Sequence, residues 1–391
     1  MTVIINKPGF NLRETLTSLK RKIGIKGAEL MAAETVSDVY TSLNPVMFRN
    51  RVHNGDMRID QRNSGALVTG GSYAVDRFLT AATAITSLSV SSQQVVDAPT
   101  VAGFKYSYKI TTTAAATAYG TGGRYGILHR IEGLNVIDFG FGTSSASSVT
   151  ISFWVKTSLP GLYSVCIYNS NSDRGYPATY TITSANTWEY KTVTIPGDTT
   201  GTWTADNTRC FQVEWCLGAD SSRLGTANTW NSSFVTGATG NTRLSDTLNA
   251  TFQLTGVQLE KGTVATPFEY RPYGTELALC QRYFYSLLSD GSSNGRSLGI
   301  TGVVSGGNTT RAGGFHPVPM RAIPTITIAG LRQWDGSAAP SITGISLSSC
   351  TKEALSIDVT GGGLTDGRAG TVLFQGNVSA SQGYLKADAE L

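Results

Sequence analysis

Hydrophobic and polar residues alternate in several short runs along the chain after residue 48. In the run VTISFWVKT (149–157), every second position from Val149 to Val155 is apolar, and Thr, Ser, Trp and Lys stand between or after them. A period of two is typical of an antiparallel strand with one buried face. The same pattern predicts strands in YSVCIYN (163–169), EYKTVTI (189–195), CFQVEWCLG (210–218) and ATFQLTGVQLEKG (250–262). Turn-forming segments separate these runs, so the pattern predicts a β-sandwich of jelly-roll type.

Three positions within these runs carry specific expectations. Gly256 stands where the alternation changes phase, which predicts a β-bulge. Trp215 shares a face with Phe211 and Leu217 and is therefore expected in the core. Trp154 falls on the face opposite to the apolar residues of its strand.

The first 48 residues follow a helical period instead. Apolar residues recur there at spacings of four, three and four, at Leu12, Leu16, Leu19 and Ile23. This spacing predicts an apolar stripe on a short helix, and a second helical stretch follows. Neither helix can bury its stripe alone. We expect the segment to dock or oligomerise the protein within a larger assembly, and a helical cap on the following sandwich is the alternative.

A second β unit begins near the segment TELALCQRYFYSL (275–287). Further alternating runs follow it, such as ITGVV, TITIAG and ALSIDV, separated by Gly, Ser and Pro. The sequence therefore predicts a mainly β fold with a short N-terminal helical segment (1–48), a larger β-sandwich (49–274) and a C-terminal β-sandwich (275–391).

The composition supports the prediction of a β fold and argues against nucleic acid and membranes as partners. Charged residues make up 15% of the chain, and 44 of the 391 residues are Gly, which favours strands joined by many turns. The net charge of +4 comes without a long basic tract, so no nucleic-acid partner is expected. The sequence shows no run of 18 or more apolar residues and no secretory signal. We therefore expect that the protein is made in a cytoplasm and does not insert into a membrane.

The sequence predicts no cofactor and no metal site. Five Cys residues are widely scattered without a C-x-x-C pair, which argues against a zinc site or a disulfide framework and favours reduced thiols. Asn169, Asn171 and Asp173 alternate as calcium ligands do. The residues that follow do not fit a calcium-binding loop. The favoured role of these three side chains is to tighten a β-turn.

Catalytic motifs are weak. Residues Gly295 to Gly299 match G-x-S-x-G, but the sequence that follows is strand-like where a nucleophile elbow needs a helix. The three His residues, His53, His129 and His316, have no partner Asp at motif spacing. Glycoside hydrolysis needs a pair of carboxylates, and the candidates for such a pair are Asp198, Asp206, Glu214 and Asp220. Turn and surface roles are favoured for them, and no enzyme is predicted.

Aromatic residues give the strongest candidate site. Trp188, Trp203 and Trp230 lie at strand ends or in loops, with Asp206 and Asn228 nearby in sequence. Sugars stack on flat aromatic faces while amide and carboxylate groups bind their hydroxyls. We therefore predict that these five residues bind carbohydrate. Packing in the core or between subunits is the alternative for each Trp.

Several phrases of the sequence resemble a module of tailed-bacteriophage virion proteins, chiefly tail fibres and receptor-binding proteins of the tail. The phrases occupy residues 53–65, 129–142, 148–165, 186–203, 255–285, 316–328 and 386–391, and include HNGDMRIDQRNSG, TGVQLEKGTVATPFEYRPYGTELALCQRYFY and KADAEL. The resemblance implies a carbohydrate-binding-module-like sandwich followed by a distal β-domain. It also implies a trimeric assembly without catalytic chemistry.

The expected function follows from this resemblance. We expect a non-enzymatic virion protein, a tail fibre or tail-tip component that is made in the host cytoplasm and carried on the phage tail. Residues 1–48 would bind other tail or virion proteins, the chain would form a homotrimer, and the β-domains would bind host surface polysaccharide. Two alternatives stand beside it: a head-decorating or connector protein without sugar binding, and a polysaccharide depolymerase.

Overall fold

The computed structural model describes residues 48–288, 297–306, 308–336, 342–347, 350–374 and 383–391. The chain divides into two compact units, Met1–Arg49 and Asn50–Leu391. The predicted attachment residues Leu12, Leu16, Leu19 and Ile23 lie outside the described residues, so their role stays a prediction. The predicted boundary near residue 274 also stays a prediction.

Strands dominate the described chain. In chain order they are β1 (Val68–Thr69), β2 (Tyr73–Val75), β3 (Phe78–Thr86), β4 (Ser89–Val95), β5 (Ser107–Ala114), β6 (Ala118–Glu132), β7 (Val149–Thr157), β8 (Gly161–Tyr168), β9 (Gly175–Ile182), β10 (Glu189–Ile195), β11 (Arg209–Ala219), β12 (Leu224–Gly225), β13 (Gly237–Ala238), β14 (Thr251–Lys261), β15 (Phe284–Leu288), β16 (Ser297–Ser305), β17 (Thr309–Phe315), β18 (Thr325–Ala329), β19 (Leu331–Trp334), β20 (Gly344–Leu347), β21 (Ala354–Thr360), β22 (Ala369–Phe374) and β23 (Tyr384–Asp388). One α-helix, α1 (Tyr273–Gln281), and five short 3-10 helices complete the described elements. The 3-10 helices are Thr100–Ala102, Gly133–Asn135, Ile137–Phe139, Ser221–Arg223 and Leu244–Asp246. The mainly β fold is thus confirmed.

Two six-stranded sheets form the larger sandwich. Sheet A has the order β1-β4-β5-β14-β7-β10 and sheet B the order β2-β3-β6-β11-β8-β9, and their paired strands are antiparallel. All five strands predicted from alternation between residues 149 and 262 are present. Trp215 is fully buried between the sheets, edge-on to Phe153 at 5.6 Å between ring centroids, which confirms its predicted place in the core.

The predicted bulge at Gly256 is also confirmed. The pairing of β14 with β7 shifts register between Thr255 and Gln258, and Gly256 has a φ of +61°. The bulge reverses the alternation along β14, so residues on both sides of it keep their apolar side chains in the core.

The segment between β11 and β14, in which β12 and β13 pair as the two-stranded parallel sheet C, covers the outer face of sheet B. Its Val235 and Phe234 pack on Cys166 and Tyr168 of β8. All five Cys residues are free thiols, and only Cys350 is not fully buried. No α-helix within the described ranges is long and apolar enough to cross a membrane.

A second pair of sheets follows the sandwich. Sheet D is three-stranded, with the order β15-β23-β18, and sheet E is six-stranded, with the order β19-β22-β16-β17-β21-β20. Their shared core includes Ile357, Val359, Val372 and Leu385. Strand β23 is the central strand of sheet D, because it pairs with both β15 and β18.

Helix α1 was not predicted from the sequence, in which its residues were interpreted only as a polar and aromatic segment. It carries two buried side chains, Glu276 and Cys280. Glu276 pairs with Arg271 at 3.2 Å and accepts a hydrogen bond from the backbone N–H of Asn54 at 2.5 Å. A charged residue on the buried side of the helix removed the apolar stripe that would have indicated it.

Buried ion pairs attach residues 388–390 to the larger sandwich. The Arg77 side chain is 2% exposed and pairs with Glu390. Its guanidinium also donates to the carbonyl oxygen of Arg130 at 2.5 Å and lies 3.4 Å from the ring centroid of Tyr283. Arg62 reinforces the attachment, because it pairs with Asp388 at 2.9 Å and with Glu390 at 3.1 Å.

We predict that Glu390→Gln lowers the free energy of unfolding by about 3–5 kcal/mol, because Arg77 would remain buried without its counter-charge. Urea denaturation measures the loss. The double variant Arg77→Met, Glu390→Gln should recover part of it. Arg311→Gln is the control, since it breaks an exposed pair with Asp358 and should cause no measurable loss. Equal losses in the Glu390→Gln variant and the control would contradict the prediction.

The stability of the protein should also depend on pH through Asp76. Burial raises the pKa of Asp76 to about 7, although a hydrogen bond from Gln61 and the nearby Arg62 charge act in the opposite direction. The folded chain therefore holds a proton that the unfolded chain releases near pH 4, so this group's contribution to stability falls as pH rises from about 4 to 7. We predict that Asp76→Asn gains stability relative to the wild type between pH 5 and 7.5. Urea denaturation at several pH values tests this, with the exposed Asp246→Asn as control. A constant difference between Asp76→Asn and the wild type would contradict it.

Candidate functional site

The outer face of sheet A carries aromatic rings next to polar side chains. The alternation that buries Phe153 turns Trp154 outward, and Trp154 lies directly opposite Tyr190 of β10. Their ring centroids are 5.4 Å apart, and Tyr190 is 45% exposed. Antiparallel pairing of β7 with β10 therefore makes a two-ring platform.

Trp188 lies just before β10, beside a polar cluster. Its indole Nε1 donates to Asp97 Oδ1 at 3.3 Å, and the Lys156 ammonium lies 5.1 Å from its ring centroid. Lys156 pairs with Asp97, and Gln253 Nε2 donates to Asp97 Oδ2 at 3.0 Å. Partial burial acts to raise the pKa of Asp97, but hydrogen bonds from Lys156, Gln253 and Trp188 outweigh it and hold the pKa below its usual value. Asp97 is thus an ionised acceptor at neutral pH.

We call Trp154, Trp188 and Tyr190, together with Asp97, Lys156 and Gln253, the sheet A face. It presents flat rings, a carboxylate and an ammonium on one rigid surface, and the buried Gln253 amide holds Asp97 in place through its hydrogen bond. Aromatic faces bind the C–H faces of polyhydroxylated ligands, and the polar groups can exchange hydrogen bonds with hydroxyls. The described residues include no group of three or more His, Cys, Asp or Glu that could hold a metal ion.

Gly256 lets a second aromatic group approach this face. A Cβ at residue 256 would lie 2.7 Å from the Phe104 ring and 3.1 Å from Trp154. Phe104 in turn contacts Phe268 and Tyr270, at ring-centroid distances of 5.0 and 5.5 Å. Tyr270 is 50% exposed, so accessible aromatic surface continues beyond Trp154.

The structure brings Trp203 and Trp230 together, but in a different place. Their rings are edge-on at 5.8 Å between centroids, and both pack against the core of the larger sandwich. The Trp203 indole donates to Asp198 at 3.2 Å, and that of Trp230 donates to the carbonyl oxygen of Pro196 at 2.9 Å. Both rings are half-buried and have their N–H groups satisfied.

Asn228 is bonded to strand β9, and Asp206 makes contacts within its own turn. Asn228 has a φ of +55°, and its amide exchanges two hydrogen bonds of 2.9 Å with Thr179. Asp206 accepts from the backbone N–H of Thr208 at 2.8 Å and from its hydroxyl at 2.5 Å. Of the five predicted sugar-binding residues, only Trp188 therefore belongs to the sheet A face. The binding role of all five stays a prediction.

The carboxylates considered for acid–base chemistry each have structural partners. Asp198 binds the Arg174 guanidinium through two contacts, of 2.6 and 2.9 Å. Glu214 is buried, and both Arg124 and the Tyr168 hydroxyl donate to it at 2.8 Å. Asp206 accepts hydrogen bonds within its own turn, and Asp220 accepts them from the backbone N–H groups of Ser222 and of Gly123 in β6.

The remaining motifs also have structural settings. Ser297 of the G-x-S-x-G match begins strand β16, and residues 295–296 lie outside the described chain. His53 and His129 are buried, and desolvation, with the nearby Arg77 charge, holds their pKa values well below the usual value. Asn169 closes its turn, since its amide Nδ2 donates to Asp173 at 2.6 Å.

Most of the sheet A face was not predicted from the sequence. The alternation of β7 already turned Trp154 and Lys156 away from the core. Tyr190, Asp97 and Gln253 could not be added, because only the strand order shows that they meet. Asp97 lies 59 residues from Lys156 and 156 residues from Gln253.

Comparisons with known proteins give similarities in structure only. No protein-family model matches the sequence, and no curated protein matches it. A sugar-binding protein, described as putative, from Bacteroides thetaiotaomicron is 14% identical, with 54% of this chain and 99% of that chain covered and a TM-score of 0.31. A family 11 carbohydrate-binding module of Clostridium thermocellum, solved with a mixed-linked tetrasaccharide, is 14% identical, with 51% and 98% covered and a TM-score of 0.25.

The enzymatically active domain of tailspike protein 4 from bacteriophage CBA120 is 13% identical, with a TM-score of 0.27. The match covers 55% of this chain but only 22% of the tailspike chain. At these identities and TM-scores, the similarities assign neither a ligand nor a site to this chain.

We predict that Gly256→Ala destabilises the protein by about 2 kcal/mol, because a residue with a Cβ would occupy a left-handed conformation and crowd Phe104. Chemical denaturation measures the effect. Gly274→Ala is the matched control, since its Cβ would meet nothing within 4 Å and Gly274 lies in helix α1, where Ala is favoured. The prediction fails if both variants are as stable as the wild type.

Proposed function

We propose that the sheet A face binds polysaccharide on the surface of a bacterial host. The observation that carries this proposal is the combination of the Trp154–Tyr190 platform, in which Tyr190 is exposed and Trp154 half-buried, with the Trp188–Asp97–Lys156 cluster beside it. Stacking on the rings gives affinity for many different sugars. The fixed polar groups select among these sugars by the positions of their hydroxyls. Tyr190 and Asp97 are exposed on the outer side of a sheet, a position that suits a long chain better than a buried small molecule.

We further propose that the protein is a non-enzymatic component of a tail fibre or tail tip, carried on the virion as a homotrimer. Support comes from the resemblance of its sequence phrases to tailed-phage virion proteins. In this proposal residues 1–48 attach the protein to other virion proteins. A single shallow site contributes only about 4 kcal/mol, close to millimolar affinity, and three linked sites raise the avidity by orders of magnitude.

Binding to a panel of bacterial surface polysaccharides, by affinity electrophoresis and then calorimetry, tests the site. We predict that Trp154→Ala and Trp188→Ala each weaken binding about tenfold, which corresponds to loss of one stacking contact. Trp334→Ala is the control, because Trp334 is an accessible tryptophan, 45% exposed, that belongs to β19 in sheet E and lies outside the sheet A face. Near-ultraviolet circular dichroism verifies the fold of each variant.

Three results would count against the proposal. Absence of binding to every polysaccharide would favour a structural protein of the virion head or a connector. Release of reducing ends from capsule would favour a depolymerase. Unchanged affinity in both Trp variants would place the binding site elsewhere on the molecule.

The place on the virion needs a separate measurement. Immunogold electron microscopy with antibody against residues 276–391 should label the tips of tail appendages. Label over the head would identify a decoration protein instead, and particles without label would contradict a virion role.

A further inference from the structure

A groove of about 570 Å³ lies on the outer face of sheet D, well away in sequence from the sheet A face. Its floor is made by Lys386 and Asp388 of β23, and Thr325 and Thr327 of β18 lie directly opposite them in the strand register. Ile323, which is 61% exposed, forms an apolar part of its wall. The volume falls within the range of pockets that hold small ligands, about 300–1,000 Å³.

One side of the groove is held rigidly. Arg62 lies 3.5 Å from the ring centroid of Phe284 and pairs with Asp388 and Glu390. Arg321 donates through its three guanidinium nitrogens to the carbonyl oxygens of Ala389, Glu390 and Asn207, at 2.8, 2.9 and 3.3 Å. The groove is therefore shaped before any ligand arrives, which lowers the entropic cost of binding.

The charges in the groove do not balance. Asp388 and Glu390 are engaged by Arg62, and Glu390 also neutralises the buried Arg77. Arg321 donates only to neutral carbonyl oxygens, and Lys386 has no carboxylate within 4.0 Å in the part of the chain that the structure describes. The groove therefore carries two cations without a carboxylate partner, so a ligand with a negative charge is favoured.

The uncharged groups of the groove suit a saccharide. The hydroxyls of Thr325 and Thr327 make no hydrogen bond to any described residue, and both side chains are exposed. They can exchange hydrogen bonds with sugar hydroxyls, while Ile323 offers a surface for the C–H face of a sugar ring. Residues two apart on a strand are about 6.6 Å apart. At this spacing the two hydroxyls can bind consecutive polar groups of a short saccharide chain.

We propose that this groove is a second carbohydrate site, specific for short saccharides that bear a carboxylate, with Lys386 as the partner of that carboxylate. Arg321 adds to the positive field, Thr325 and Thr327 bind hydroxyls, and Ile323 contacts a ring face. The site is separate from the sheet A face and does not depend on it.

The test uses the full chain and three acidic probes: trigalacturonate, a hyaluronan tetrasaccharide and an α-2,8-linked trimer of sialic acid. Galactotriose is the neutral counterpart of trigalacturonate. Ligand-observed NMR titration measures each affinity. We expect at least one acidic probe to bind about tenfold more tightly than galactotriose, and 0.5 M NaCl to weaken its binding severalfold, since salt screens the charge contact.

Variants then locate the binding. Lys386→Gln should weaken binding of the acidic probe about tenfold and leave the affinity for galactotriose unchanged, and Thr327→Val should cause a two- to tenfold loss, as expected for one hydrogen bond. Lys352→Gln, which removes an exposed lysine outside the groove, is the matched control. Trp154→Ala and Trp188→Ala should not change binding of the acidic probes, so failure of the sheet A proposal and failure of this one are distinguishable. The proposal is overturned if none of the acidic probes binds, or if binding is unchanged by Lys386→Gln.

Discussion

The buried ion pair between Arg77 and Glu390 is the interaction on which the rest of the structure depends. A guanidinium that is withdrawn from water needs a counter-charge, and the carboxylate that pairs with Arg77 belongs to a residue more than 300 positions away in sequence. Satisfying Arg77 therefore places residue 390 against the larger sandwich. That position determines where β23 enters sheet D, and β23 in turn provides the pairing edges for β15 and β18. A buried ion pair in the larger sandwich thus helps to position the central strand of sheet D.

The two candidate binding surfaces differ in how the fold builds them. The sheet A face arises from regular alternation, since β7 turns Trp154 and Lys156 to the side of the sheet opposite Phe153. It needs one irregularity, the bulge at Gly256, to let Phe104 approach Trp154. The sheet D groove instead depends on the charge network around residue 390, which holds Arg62 and Arg321 in position. One surface therefore presents rings with balanced charges, and the other presents hydroxyls with an excess of positive charge.

Local pattern predicted the strands well and the binding surfaces poorly, for a physical reason. Alternation reports which face of a strand is buried, so the core position of Trp215 and the bulge at Gly256 could be read from the sequence. It does not report which strands are neighbours, so Trp154 could not be joined to Tyr190. Trp203 and Trp230 had the sequence context of exposed loop residues, yet aromatic neighbours at the end of the sandwich draw them into packing. Helix α1 escaped prediction because its buried contacts are ionic, through Glu276.

The central position of β23 in sheet D also sets an order of events during folding. All strands of the larger sandwich are complete once β14 has been made, whereas β15 and β18 lack a common partner until residues 384–388 emerge from the ribosome. Until then both strands present unpaired backbone edges, which are prone to associate with other chains. Contacts across such long sequence separations also form slowly. The nascent chain therefore passes through a stage in which all strands of the larger sandwich are present, while Arg77 still lacks Glu390 and the extension that carries β15 and β18 is aggregation-prone. Expression conditions that slow association should increase the yield of folded protein.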